Sequence, residues 1–266
     1  MASCCLHSVI IKPSGNGAGR LYFCAAINFI VWLMTFLVGT SGYSHAEWKG
    51  SFYPEKISQK KMLAYYAERF STVEVNYTFR QIPSEKTVVT WGEQVPASFR
   101  FVLKAWQAIT HFKRLQNAEK ETDDFLSVAS LLKERQGPIL FQMPPTFKRD
   151  VSRLETFLKH IAGRAKVAFE FRHASWLDNE VVECLRAYSA VLCVADGDDL
   201  PPTDLVHTAD WGYVRLRDDN YTDERLREWI KRISAHKWDE TYVFLMHEDT
   251  GIGPKLAGRF VELAGS

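Results

Sequence analysis

From residue 36 onward, short apolar and β-branched runs alternate with longer stretches whose apolar residues recur at three- and four-residue spacing. This is the pattern of repeated strand–helix units around a parallel sheet. Eight runs read as strands: residues 36–39, 72–75, 99–104, 138–142, 166–171, 190–195, 213–217 and 242–247. Most are continuously hydrophobic, as expected when both faces of a parallel strand are covered. The amphipathic segments between them predict helices over 60–70, 84–93, 119–135, 150–161, 179–188, 222–236 and 253–263, several opened by a Ser, Asp or Thr able to cap them. The stretch 200–211, with Pro201 and Pro202, reads as a loop where the sixth helix is short or missing. The strand count and the lack of a Gly-rich phosphate fingerprint favour a single parallel (β/α)8 TIM-type barrel over an open doubly wound sheet.

Composition narrows the function classes. With 33 Lys plus Arg against 32 Asp plus Glu, the net charge is +1. The whole-protein field therefore gives no support to nucleic-acid or membrane-surface binding, and recognition by charge has to be local. No GxGxxG, GxxxxGK[ST], HExxH or GxSxG occurs, which argues against dinucleotide, P-loop, zincin and serine-hydrolase chemistry, and no motif assigns a cofactor. Cys4, Cys5, Cys24, Cys184 and Cys193 have neither metal-ligand spacing nor the density of a disulfide scaffold. A reducing, cytoplasmic compartment is the simpler reading, with Cys184 and Cys193 as small buried hydrophobes.

The amino-terminal segment is read separately. Residues 1–20 carry His7, Lys12 and Arg20 without an acidic residue, and residues 21–39 are apolar except for Asn28 and Thr35. By length that run can span a bilayer or act as a signal, and Ser44-His45-Ala46 offers a cleavage site. Cleavage there would remove the first strand of a barrel that needs eight. The expectation is that Met34 is the working start, that residues 1–33 are an upstream extension that does not fold, and that residues 34–266 form the barrel domain. The alternative is a membrane anchor through residues 21–38.

In a parallel barrel, function sits at the carboxyl ends of the strands, so polar residues that end apolar runs are the informative ones. In chain order these are Ser41, Glu74, Asn76, Lys104, Gln142, Glu170, Arg172, His173, Asp196, Arg215, Arg217, His247, Glu248 and Asp249. Singly, each has a structural explanation: Glu74 pairing with Lys104 or Arg215 inside the barrel, or His173 capping the next helix. Together they define a ring with two competing readings. In one, Lys104, Arg172 and Arg215 bind a phosphate or carboxylate while Glu170 or Glu74 acts as general acid or base. In the other, Glu74, Glu170, Asp196 and His247 gather a divalent metal, a weaker reading because the intervening cations oppose it and no tight ligand spacing is present. His111 either places an imidazole over the mouth or caps a helix. Tyr43, Trp48, Phe52, Tyr53, Tyr77, Phe79, Trp106 and Trp176 either stack a sugar or base, or plug the barrel top as core.

Taken as a set, the motifs resemble those of the YecE-like family, domain of unknown function 72 (DUF72). They run in that family's order: GTSGYSHAEWKGSFYP from residue 39, EVNYTF from 74, FVLKA from 101, ITH from 109, LFQMPP from 140, AFEFRHASW from 168 and YVRLR from 213. The resemblance covers nearly everything from Met34 onward. It implies a TIM-type barrel, and a start just before GTSG. The chain departs from the pattern after the last strand, where His247 and Glu248 replace an amide pair.

The functional expectation is an enzyme of unassigned reaction on an anionic small molecule, phosphate-, sugar- or nucleotide-like. Glu74, Lys104, Glu170 and His173 are its candidate catalytic groups. Ser41, Asn76, His111, Gln142, Arg172, Trp176, Asp196 and Arg215 are its candidate binding groups, and no metal is assigned. The alternative is a barrel that binds a ligand, partner or nucleic acid without turnover. On the enzyme reading, Glu170→Gln leaves the fold intact.

Overall fold

The computed structural model describes residues 34–197, 200–218, 220–246 and 251–265. The expected extension over 1–33 and the candidates His247, Glu248 and Asp249 lie outside the described residues.

The strands are β1 (Thr35–Thr40), β2 (Thr72–Val75), β3 (Arg100–Lys104), β4 (Gln136–Gln142), β5 (Val167–Glu170), β6 (Val191–Leu192), β7 (Val194–Ala195), β8 (Trp211–Leu216) and β9 (Glu240–Leu245). Between them lie α1 (Gln59–Ala67), α2 (Tyr77–Arg80), α3 (Glu85–Glu93), α4 (Glu119–Ser130), α5 (Val151–Ile161), α6 (Asn179–Ala187), α7 (Asp223–Ser234) and α8 (Ile252–Ala264). Local chemistry sets several starts. Side chains of Ser84, Asp150, Asp178 and Thr222 accept the backbone N–H of Thr87, Arg153, Glu180 and Arg225, capping α3, α5, α6 and α7.

Two expectations need correction. The helix predicted over 119–135 ends at Ser130, and Lys133 turns to φ +54°, so a separate 3-10 turn, Lys133–Arg135, leads into β4. The strand predicted over 190–195 is interrupted at Cys193, which separates β6 from β7. The first predicted strand is present as β1, so residues 35–38 of the alternative membrane anchor are sheet. Among the described residues no helix is long and apolar enough to cross a membrane.

All strand pairs are parallel, in two sheets of order β1-β9-β8-β7 and β2-β3-β4-β5-β6. The sheets approach each other at two seams. At one, Cys193 alone lies between β6 and β7, and its N–H bonds the carbonyl of Phe169 in β5 at 2.8 Å. At the other, Ser41 forms an isolated parallel bridge with Glu74, and the Gly42 N–H donates to the Glu74 carbonyl at 2.8 Å. The Tyr66 hydroxyl reinforces this second seam, accepting the Thr40 N–H at 2.8 Å and donating to the Thr72 carbonyl at 3.2 Å. Gly39 makes the approach possible, because a Cβ there would stand 2.1 Å from the Thr72 carbonyl oxygen. Gly39→Ala is accordingly expected to destabilise the fold by about 2–3 kcal/mol through backbone overpacking; a urea midpoint equal to that of the parent would refute it.

Buried side chains fall into two clusters, because alternate residues of a strand point to opposite faces. Phe101 and Leu103 of β3 pack in the larger cluster, with helix residues such as Phe125 and Leu126. Val102 packs in a second cluster with Leu37, Leu140, Ala168, Val191, Tyr213 and Phe244, all strand residues. Both strand faces are therefore covered, which explains the unbroken hydrophobic runs.

Candidate functional site

The site begins where this second cluster ends. Two residues beyond Val102, Leu140, Ala168 and Tyr213, on the same strand face, stand Lys104, Gln142, Glu170 and Arg215. Strand register aligns them: Leu140 pairs with Lys104, Gln142 with Glu170, and Ala195 with Arg215. Apolar side chains thus fill the middle of this face, with these polar groups at the carboxyl ends and a separate ion pair, Lys166 with Glu240 at 2.7 Å, at the amino-terminal side.

Arg215, 1% exposed, organises the group. Its Nη2 donates to Glu74 Oε1 at 2.7 Å, and its Nη1 donates to Glu170 Oε2 and, at 3.4 Å, to Gln142 Oε1. Glu74 also accepts from Ser41 Oγ at 2.9 Å and from the Tyr213 hydroxyl at 2.6 Å, while Asn76 Nδ2 donates to Ser41 Oγ at 2.6 Å. Arg172 Nε donates to Glu170 Oε1 at 2.8 Å, and Arg172 Nη2 donates to Gln142 Oε1 at 3.2 Å. Burial penalises ionisation of Glu170, but Arg215 and Arg172 outweigh it and hold the carboxyl at about 2. Burial and the adjacent Glu74 push the Tyr213 phenol well above its ordinary value. Two buried carboxylates are thus bridged by one guanidinium, with Ser41 and Tyr213 as neutral donors on Glu74 and Arg172 as a second cation on Glu170, an arrangement that offsets charges removed from water.

Lys104 differs from its neighbours. No hydrogen bond or ion pair joins its Nζ to any described residue; the ammonium lies 4.4 Å from the centroid of the Phe79 ring. Burial, with the Arg215 charge next in weight, lowers its pKa to about 8 despite Glu74 and Glu170 nearby. Thr78 Oγ1 bonds both the Val75 and Lys104 carbonyls, at 2.9 and 2.7 Å, and so ties α2, which carries Phe79, to the end of β3. His111 meets Phe79 edge-on, with ring centroids 4.9 Å apart. Its Nδ1 pairs with Thr110 Oγ1 at 2.9 Å, and burial, then Lys104 and Arg172, lower its pKa.

Of the sequence candidates, Ser41, Glu74, Asn76, Gln142, Glu170, Arg172 and Arg215 form one connected network, and Lys104 and His111 stand beside it. Three lie elsewhere. His173 Nδ1 accepts the Ser175 N–H at 3.1 Å, capping the turn Ala174–Trp176. Trp176 is core: it stacks on Phe171 at 4.4 Å, and its Nε1 donates to the Phe147 carbonyl at 2.7 Å. Asp196 accepts from the Arg217 N–H and the Tyr221 hydroxyl, a separate pair at the end of β7. Trp48 and Tyr53 are also buried, so much of the expected aromatic wall is packing, whereas Tyr77 is 49% exposed.

Sequence reading missed Tyr213 as a site residue, and it named Phe79 only as one of the aromatics that stack a ligand or plug the barrel top. The signal for Tyr213 was present, since it lies two positions before Arg215 on one strand face. For the metal reading, Arg215 occupies the space between Glu74 and Glu170, and among the described residues no group of three His, Cys, Asp or Glu side chains could hold an ion.

Comparison with known proteins places this geometry in a family. The chain is 27% identical over 225 residues to the UPF0759 protein YunF of Bacillus subtilis, covering 76% of this chain and 75% of that one. Among solved structures it resembles a DUF72 family protein of Thermotoga maritima, with a TM-score of 0.75 and 27% identity over 87% of this chain and all of the other (100%). A DUF72 family protein of Enterococcus faecalis shares the fold at a TM-score of 0.72, with 19% identity over 87% of this chain and 96% of that one. The family described as "Protein of unknown function DUF72" matches residues 37–266, and the chain belongs to it.

Proposed function

We propose that the two sheets are halves of one eight-stranded (β/α)8 barrel, and that its carboxyl-terminal mouth is an enzyme site for an anionic small molecule. Three observations support closure: the single residue between β6 and β7, the Ser41–Glu74 bridge at the opposite seam, and a buried cluster without a helix residue that gathers side chains from strands of both sheets. In such a barrel the mouth is where loops converge and chemistry is placed.

One observation carries the functional reading. Among the described residues Lys104, Arg172 and Arg215 face Glu74 and Glu170, three cations against two carboxylates, and Lys104 is the one of the three with no carboxylate partner there. A phosphate or carboxylate completes that balance, held by Lys104 and by the Arg172 guanidinium, whose side chain is 21% exposed. The carboxylates already accept from arginine, serine and tyrosine. Proton chemistry on this reading therefore belongs to Lys104 rather than to Glu170, and Glu74 and Glu170 position the arginines.

The test is calorimetric titration with inorganic phosphate at pH 8 in two buffers of different ionisation enthalpy. Binding with proton uptake, weakened about tenfold or more by Arg172→Gln, is the expected result. Binding without proton uptake would favour the alternative, a ligand-binding barrel in which Lys104 does not titrate. Absence of binding would remove the anion site. The free thiols of Cys184 and Cys193 accord with a cytoplasmic setting, which belongs to the same proposal.

A further inference from the structure

Lys104 ends β3 on the inward face, held there by the bonds from Thr78 to its own carbonyl and to that of Val75. Around its Nζ stand Arg215 from β8, Arg172 beyond β5, Glu74 from β2 and Glu170 from β5, with Phe79 and His111 from the segments after β2 and β3. The carboxylate oxygens point to the arginines, so none hydrogen-bonds the amine, and two guanidinium groups oppose its positive charge. An amine in such surroundings carries a lone pair at lower pH than a solvated lysine does, in keeping with its fall toward 8. His111 has one ring nitrogen committed to Thr110, which leaves Nε2 without a partner among the described residues. Its lowered pKa keeps it a proton acceptor near neutrality.

We propose that Lys104 is a nucleophilic amine that forms an imine with a small carbonyl compound carrying a carboxylate or phosphate. The inference rests on the anion-binding reading of the mouth, because Arg172 holds the substrate's anion while the carbonyl carbon meets Nζ. The Nζ lone pair forms the C–N bond as the C=O π pair moves to oxygen. The nitrogen gives a proton to His111 Nε2, which passes it to that oxygen, yielding a carbinolamine. The remaining nitrogen proton takes the same route through His111 to the hydroxyl, which leaves as water as C=N forms. Amine and carbonyl are converted to imine and water, and no oxidant or reductant is needed.

Glyoxylate, an aldehyde bearing a carboxylate, is the probe, with sodium cyanoborohydride to reduce any imine to a stable carboxymethyl amine on the full chain. Peptide mass spectrometry follows the rate at Lys104 against that at Lys60 and Lys61, which are exposed. Lys104 is expected to be modified at least about tenfold faster than either, given the larger neutral fraction of a depressed amine. Arg172→Gln is expected to slow modification at Lys104 and leave Lys60 and Lys61 unchanged. Modification of Lys104 no faster than of the two exposed lysines would overturn the proposal. Phosphate binding measured on the same preparation separates the two failures. Phosphate bound with Lys104 unreactive rejects the imine and keeps the anion site, whereas no phosphate binding and no effect of Arg172→Gln rejects the anion-directed reaction altogether.

Discussion

Arg215→Met should lower the free energy of unfolding by about 3–5 kcal/mol at neutral pH, because it leaves two buried carboxylates without the charge that compensates them. Glu74 is 0% exposed and Glu170 is 1% exposed, so neither can turn to water without opening the strand ends. Glu74 would keep Ser41 and Tyr213 as donors, and Glu170 would keep Arg172. These contacts reduce the loss without replacing a guanidinium that bridges both acids. The same logic reverses the expectation for Glu170→Gln. Read from the sequence, that substitution spares the fold; in the network it removes the carboxylate shared by Arg172 and Arg215, leaving Arg215 its pair with Glu74, and should be destabilising as well. Urea denaturation of both variants measures this directly. A loss under about 1 kcal/mol for Arg215→Met, the size of an ordinary surface contact, would show that the carboxylates are not held as an ion-paired unit.

Lys104→Met should have the opposite effect on stability while abolishing the binding of inorganic phosphate. The folded protein holds Lys104 at about 8 against an ordinary value of 10.5. Below pH 8 both folded and unfolded chains carry the proton, and the fold bears the full cost of charging a buried amine. Between about 8 and 10.5 the unfolded chain binds more protons, so the parent's stability rises with pH through that window and levels off above it. Met removes the cost, so the variant should be more stable than the parent by about 1–2 kcal/mol at pH 7, with the difference shrinking as pH passes 8. Thermal or urea unfolding of both proteins across pH 7 to 10 provides the check. A variant less stable than the parent at pH 7 would mean that the ammonium is stabilised by its surroundings, contrary to a role as a strained, ligand-directed group.

The extent to which the site could be read from the chain follows from the range of the forces involved. Strand and helix positions depend on local hydrophobic spacing and on caps such as Ser84, Asp150, Asp178 and Thr222, so most elements were legible to within a few residues, though the short α2 was not. So was the polar ending of each strand, because charge tolerated at the end of an apolar run marks the face where loops converge. The break at Cys193 and the turn at Lys133 were not, since each depends on backbone placement that side-chain pattern does not encode.

Partnership was decided only in three dimensions. Arg172 and His173 are adjacent in sequence and equally polar, yet one reaches Glu170 and Gln142 while the other caps a turn. Trp176, three residues further on, is drawn into packing against Phe171 and Phe147. Glu74 and Arg215 stand 141 positions apart, in different sheets, and meet where the Ser41–Glu74 bridge brings the ends of β1 and β2 together. Composition supplied acids and cations in nearly equal number. Which cation would stand without a carboxylate partner among the described residues depended on three strands delivering Glu74, Glu170 and Arg215 to one buried point, since an ion pair forms only between groups that the fold has brought within reach.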